Sequence, residues 1–146
     1  MQYSKAGLAL TERFEADGGP KLTAYQDVKG VWTIGWGHTG PDIHPGLTIT
    51  QAQAEAFLAS DVNWANNVVN GLVHASLTQG EHDALVDFVF NVGAGNFAHS
   101  TMLKELNGGN MVMAALEFEK WDLAGGKVVA GLLRRREAEH QMFTTT

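Results

Sequence analysis

Two acids stand where they could act on one bond. Glu15 closes an apolar-polar stretch that ends before a strong breaker, and Asp27 precedes the β-type run VWTIGW, residues 31–36. Cleaving a glycosidic bond calls for such a pair. One carboxyl, kept protonated, donates to the leaving oxygen, while a second carboxylate activates water or offsets positive charge. Thr33 adds a polar group within this run, and His38 and Thr39 add two more just after it. Charged residues at element ends are also common caps and solvated surface groups, so residue types alone leave both readings open.

Other chemistries fit less well. The chain of 146 residues has no cysteine, which removes disulfides, thiolate nucleophiles and Cys-type zinc sites. Its six histidines are scattered without a His-Glu-x-x-His pair, and no metal or cofactor is expected. None of the four serines sits in a Gly-x-Ser-x-Gly elbow, and GWGHTG (35–40) lacks the Lys-Ser/Thr of a phosphate-binding loop. A formal net charge of −6 argues against a general nucleic-acid binder. The one dense basic run is Arg134-Arg135-Arg136.

The elements that must position these groups follow from caps and periodicity. A helix is expected over about 4–16, with Ser4 as cap and Ala6, Leu8, Leu10 and Phe14 as its apolar stripe. Glu15 then falls where the partial negative charge of the helix end disfavours an ionised carboxylate. After DGGP (17–20), β-type residues punctuated by glycines suggest strands, with a hairpin turning at Lys29-Gly30. Beyond Pro45 the pattern turns helical. Thr50 with Gln53 and Thr78 with Glu81 are capping boxes, opening helices through about Val69 and Val92. Ala54, Phe57, Leu58, Val62 and Val69 should line the inner face of the first. Shorter helices are expected near 100–106 and 110–120, a loop at Gly125-Gly126 and a last helix over about 132–143. This is one domain over 1–146, of α+β class. The first helix is followed by a small β lobe at about 17–48 and a larger helical lobe at about 49–146, with a cleft between them. The N-terminal stretch is broken by Lys5, Glu12 and Arg13, so neither a signal peptide nor a membrane span is expected there.

The segment RFE…KLTAYQDVKGVWTIGWGHTG resembles the catalytic region of phage lysozymes (endolysins) related to that of the T-even phages. The resemblance continues through ALVDFVFNVGAGNF (84–97), STMLKELNGG (100–109) and GLLRRREAE (131–139). It implies a lysozyme-like fold and a muramidase acting on peptidoglycan without a cofactor. In that family a Glu closes the first helix, an Asp precedes the hairpin turn, and a Thr follows the Asp by six residues in a TIGxGH run. Asp27, Thr33 and TIGWGH (33–38) match that pattern. The family commonly places eight residues between its two acids, whereas eleven separate Glu15 from Asp27 here. The extra length fits the ADGGP turn, where a longer loop is cheap. Glu12, one helical turn earlier, is the competing acid.

The resemblance implies roles residue by residue. Glu15 would be the general acid, and Asp27 and Thr33 would handle the water. An inverting reaction follows from such a water, with the carboxyls about 6.5–9.5 Å apart. Tyr25, Phe90, Asn91 and Ser100 match positions lining the family's sugar cleft, although each suits a core or cap role too. His38 would pair with Asp61 as a structural contact. Arg134–Arg136 has two readings, a solvated face of the last helix, which at least one of the three must be, or a run with one guanidinium near Glu15 or on the anionic wall. The four tryptophans are read mainly as core. The chain would act as a monomer. It would stay in the host cytoplasm until a holin opens the membrane, then reach the wall. The alternatives are a lytic transglycosylase and a non-catalytic wall-binding protein.

Overall fold

A computed structural model describes residues 1–16 and 18–145. Asp17, the first residue of the expected DGGP breaker, and Thr146 lie outside the described residues.

The first helix, α1 (Lys5–Glu15), is capped by Ser4, whose Oγ accepts from the Gly7 amide at 3.2 Å. Its inward face carries Gly7, Leu10 and Thr11. Ala6, expected in the apolar stripe, is exposed. Gly7 is inward because a neighbour comes close: a Cβ there would lie 2.9 Å from the Asp83 carboxyl carbon. The sequence pattern missed this, since periodicity counts apolar side chains and Gly7 and Thr11 are not among them.

Strands β1 (Lys21–Gln26), β2 (Trp32–Gly35) and β3 (His38–Thr39) form one antiparallel sheet in that order. Tyr25 pairs with Thr33 and Gln26 with Trp32, so the first hairpin turns over 27–31. Gly30 has a φ of 81°, the left-handed conformation such a turn requires.

Both capping boxes are formed, Thr50 with Gln53 and Thr78 with Glu81. The helix expected to run through Val69 breaks at Val62 into α2 (Gln51–Asp61) and α3 (Asn63–Leu72). The two pieces serve different surfaces, α2 packing on β2 and α3 on α4 (Gln79–Val92). Of the expected inner face, Ala54, Leu58, Val62 and Val69 are buried. Phe57 is half-buried because it stacks on the His38 ring, with centroids 4.1 Å apart. After Gly93 come α5 (Ala94–Ala98), α6 (Thr101–Asn107) and α7 (Met111–Ala115), then a 3-10 turn at Phe118–Trp121. The expected Gly125-Gly126 loop is a two-residue hairpin joining β4 (Leu123–Ala124) to β5 (Lys127–Val128). Its glycines have φ of 60° and 80°, as a tight hairpin loop demands. The last helix, α8, spans Ala130–Thr144.

The main core surrounds α4, where Leu85, Phe88 and Val89 meet Phe97, Met102, Phe118 and Phe143. A smaller core joins Trp36 of the β lobe to Ala54, Leu58 and Val62. Tyr3 and Phe90 pack against both cores, and Leu8 and Ala16 against the smaller one. The end of α1 thereby packs on the smaller core, with Glu15 as its last residue.

Of the tryptophans, only Trp36 is buried, and Trp64 is 42% exposed. His82 is 1% exposed on α4, its Nε2 2.8 Å from Asn66 Oδ1. Burial holds its imidazole below the ordinary value, against the pull of Asp83 and with a smaller push from the N-terminal amine. The unfolded chain then binds more protons than the folded one below about pH 6.5. Stability should be complete above that pH and decline as pH falls through it. Urea unfolding at pH 7.5 and 5.5 should show a smaller decline for His82→Gln than for the unmodified chain. Equal declines would exclude His82 as the source.

Candidate active site

Glu15 closes α1 with its side chain 25% exposed. Its Oε2 accepts from Arg135 Nη1 at 2.6 Å. Arg135, on the first half of α8, is 4% exposed and also donates from Nε and Nη2 to the two Asp87 oxygens, at 3.0 and 2.8 Å. Asp87 is fully buried in the middle of α4. Thr11 Oγ1 donates to Asp87 Oδ1 at 2.7 Å, and the Tyr3 hydroxyl lies 2.5 Å from Thr11 and 2.6 Å from the Gly7 carbonyl.

Burial alone would push the Asp87 carboxyl up. The paired hydrogen bonds and charge of Arg135, with Thr11 adding to them, outweigh it and hold Asp87 below the usual carboxylate range. Burial likewise opposes the Arg135 charge, but Asp87 and Glu15 together hold its guanidinium above the ordinary value. Arg136 turns the other way, its Nε 2.5 Å from Glu139 and both side chains fully buried. Its guanidinium lies 5.0 Å from the Phe88 ring centroid. Arg134 is exposed. The basic run therefore supplies one residue to the acid, one to an internal pair and one to the surface.

Glu15 and Arg135 line a cavity of about 610 Å³ together with Phe14, Asn91, Leu132 and Arg134. Asn91 is exposed and faces the same space as the acid. Glu12 lies outside this cavity lining. Its carboxyl is pushed up by partial burial and by the like charge of Glu55.

The hairpin brings Asp27 and Thr33 together through Val31. Asp27 Oδ1 accepts from the Lys29 and Val31 amides at 2.8 and 2.9 Å, which fixes the carboxyl at the turn. Its Oδ2 has no protein partner among the described residues. Thr33 is 4% exposed and donates to the Val31 carbonyl at 2.9 Å, leaving its oxygen lone pairs free of that bond. Tyr25, opposite Thr33, is 38% exposed. Phe90 is half-buried, its ring centroid 6.1 Å from that of Trp64. Ser100 is 8% exposed; its hydroxyl accepts from the Leu103 amide and donates to the Phe97 carbonyl, capping α6. His38 Nδ1 lies 2.9 Å from Asp61, which ends α2.

Sequence reasoning did not single out Asp87, Thr11 or Tyr3. Asp87 carried a usable signal, since an acid inside the apolar run ALVDFVF needs a buried cation. Among the described residues no cluster of His, Asp and Glu could hold a metal ion.

Comparison with known proteins converges on one family. The Phage lysozyme family model matches residues 15–139. An endolysin of Bacillus phage B103 is 44% identical over 99% of this chain, which spans only 55% of that relative's length. The chain thus covers little more than half of the first curated relatives it matches. A crystal structure of a P22 lysozyme mutant superposes with a TM-score of 0.90 at 37% identity, covering 99% of each chain. The muramidase domain of SpmX from Asticaccaulis excentricus gives 0.86 at 38% identity, again over 99% of each. The fold is accordingly the lysozyme-like α+β arrangement, and the likeness is to the P22 kind rather than specifically to the T-even one. By the extent of that family match, the chain belongs to the phage lysozyme family.

Proposed function

We propose that this chain is a muramidase that hydrolyses the β-1,4 bond between N-acetylmuramic acid and N-acetylglucosamine of bacterial peptidoglycan, in the service of host-cell lysis. The observation that carries this reading is the placement of Glu15. It is a carboxyl fixed at a helix end by a buried arginine, yet open to a cavity, in a chain whose family is that of the phage lysozymes. Glu15 is the general acid to the glycosidic oxygen. Asp27, with one oxygen tied into the turn, and Thr33 beside it position the attacking water. Attack by such a water from the far face of the ring inverts the anomeric centre.

Asn91 shares the cavity with the acid and contacts the sugar chain; Tyr25 and Phe90 offer aromatic surface to it. Ser100 acts as a helix cap and shapes the cleft only through α6. His38 and Asp61, with the Phe57 stack, tie the β lobe to α2 and have no role in bond cleavage. The protein works as a monomer without cofactor, and reaches the wall once a holin has opened the membrane.

End-group analysis of digested peptidoglycan tests the reaction. Hydrolysis leaves reducing ends, and their initial release as the α-anomer, followed by NMR, marks inversion. A 1,6-anhydro end would identify a lytic transglycosylase instead. Binding to sacculi without any new ends would leave a wall-binding protein.

A further inference from the structure

We propose that Asp87 is the positioning residue of the catalytic acid. It clamps the Arg135 guanidinium with two hydrogen bonds and balances its charge, so that the remaining nitrogen holds Glu15 in place. This rests on the reading of Glu15 as general acid.

The geometry is specific. Arg135 spends Nε and Nη2 on Asp87 and only Nη1 on Glu15. A guanidinium is planar, so two bonds to one carboxylate fix its plane and hence the direction of the third nitrogen. Asp87 is itself immobile, because it sits fully buried on α4 and takes a third bond from Thr11. The clamp therefore runs from the centre of the main core to the acid at the cavity wall.

Charge gives the second half of the argument. Asp87 supplies the opposing charge from the far side of the same guanidinium. The other charges near this group are Arg136 and Glu139, which pair with each other on α8, and Arg13 and Arg134 on the cavity lining. Glu139 also borders Asp87, whose charge helps push the Glu139 carboxyl up, but among the described residues it makes no bond to Arg135. Asp87 is thus the acid that answers Arg135 directly.

Asp87→Asn separates this role from a merely structural one. Asparagine offers one acceptor and one amino group, and the amino group faces an Arg135 N–H that it cannot bond. The assay is reducing-end release from purified sacculi between pH 4 and 9, with the unmodified chain and Glu15→Gln alongside. A folded Asp87→Asn is expected to lose about 10- to 100-fold in kcat, as misplacement of a reacting group does. KM should stay within about threefold, and the alkaline limb of the rate profile should move to lower pH. Wild-type kcat and an unmoved limb would overturn the proposal. If Asp87→Asn does not fold, Thr11→Val decides, since it removes only the hydroxyl that braces Asp87. It should lower kcat by about 3- to 10-fold, the worth of one hydrogen bond, and wild-type kcat in that variant would overturn the clamp. Failure of the unmodified chain to release reducing ends would instead overturn the muramidase reading itself.

Discussion

Glu15→Gln should leave a folded protein that no longer clears outer-membrane-stripped cells. The loss expected for removing a positioned proton donor is about 10²–10⁴-fold in rate. Stability should change little. Glu15 is partly exposed, and Arg135 keeps both of its bonds to Asp87 when the acid is neutralised. A shift in Tm within ~3 °C fits the worth of one such ion pair. Glu12→Gln is the comparison that gives the result its meaning. Glu12 is one turn away, lies outside the cavity lining and faces the like charge of Glu55. Its amide should keep most of the clearing rate. The reverse outcome, with Glu12→Gln inactive and Glu15→Gln active, would reassign the acid and with it the register of the long turn before β1.

Arg135→Met should be the most destabilising change near the site. It removes the cation and leaves Asp87 fully buried with only the neutral donors Thr11 and the Glu139 carboxyl beside it. Breaking a buried pair in this way costs about 3–5 kcal/mol, or roughly 10–20 °C in Tm for a domain of this size. Thermal unfolding by circular dichroism measures it directly. Arg134→Met, one residue earlier and exposed, should stay within about 0.5 kcal/mol. The acid limb of stability carries a further signature. Because Asp87 is held below its unfolded value, its stabilisation is present above about pH 3.9 and is lost as pH falls through the folded value. In Arg135→Met that support disappears, so acid unfolding should begin at higher pH. Equal Tm values for the two methionine variants would mean that the buried pair contributes nothing.

Local grammar accounts for what was legible beforehand. Thr50 with Gln53 and Thr78 with Glu81 are self-contained devices, because the groups they satisfy lie within one helical turn. Their helices begin where the residues require. The Asp27–Gly30 turn is similarly local, closed by a side chain bonding amides two and four residues on. The break at Val62 was not legible. The stretch from Thr50 through about Val69 reads as one helix, and it divides because α2 must lie on the β sheet while α3 lies on α4. The second hairpin at 123–128 was hidden for another reason. It has two residues per strand, too few for an alternating pattern, and only its Gly-Gly turn marks it.

The site divides along the same line. The sequence by itself determined how Asp27 and Thr33 are placed, because Asp27, Val31 and Thr33 are neighbours in the chain and the hairpin register follows from their turn. It also determined that an acid ends α1. Only the tertiary structure decided which arginine that acid would meet. Arg134, Arg135 and Arg136 are chemically identical, and their different fates depend on the rotation of α8 against α1 and α4. That rotation is set by core packing of Phe88, Phe118 and Phe143. Asp87 and Thr11 became part of the site for the same reason. They are distant in sequence from Arg135, and contacts between distant segments are fixed by how helices pack rather than by any pattern within one of them.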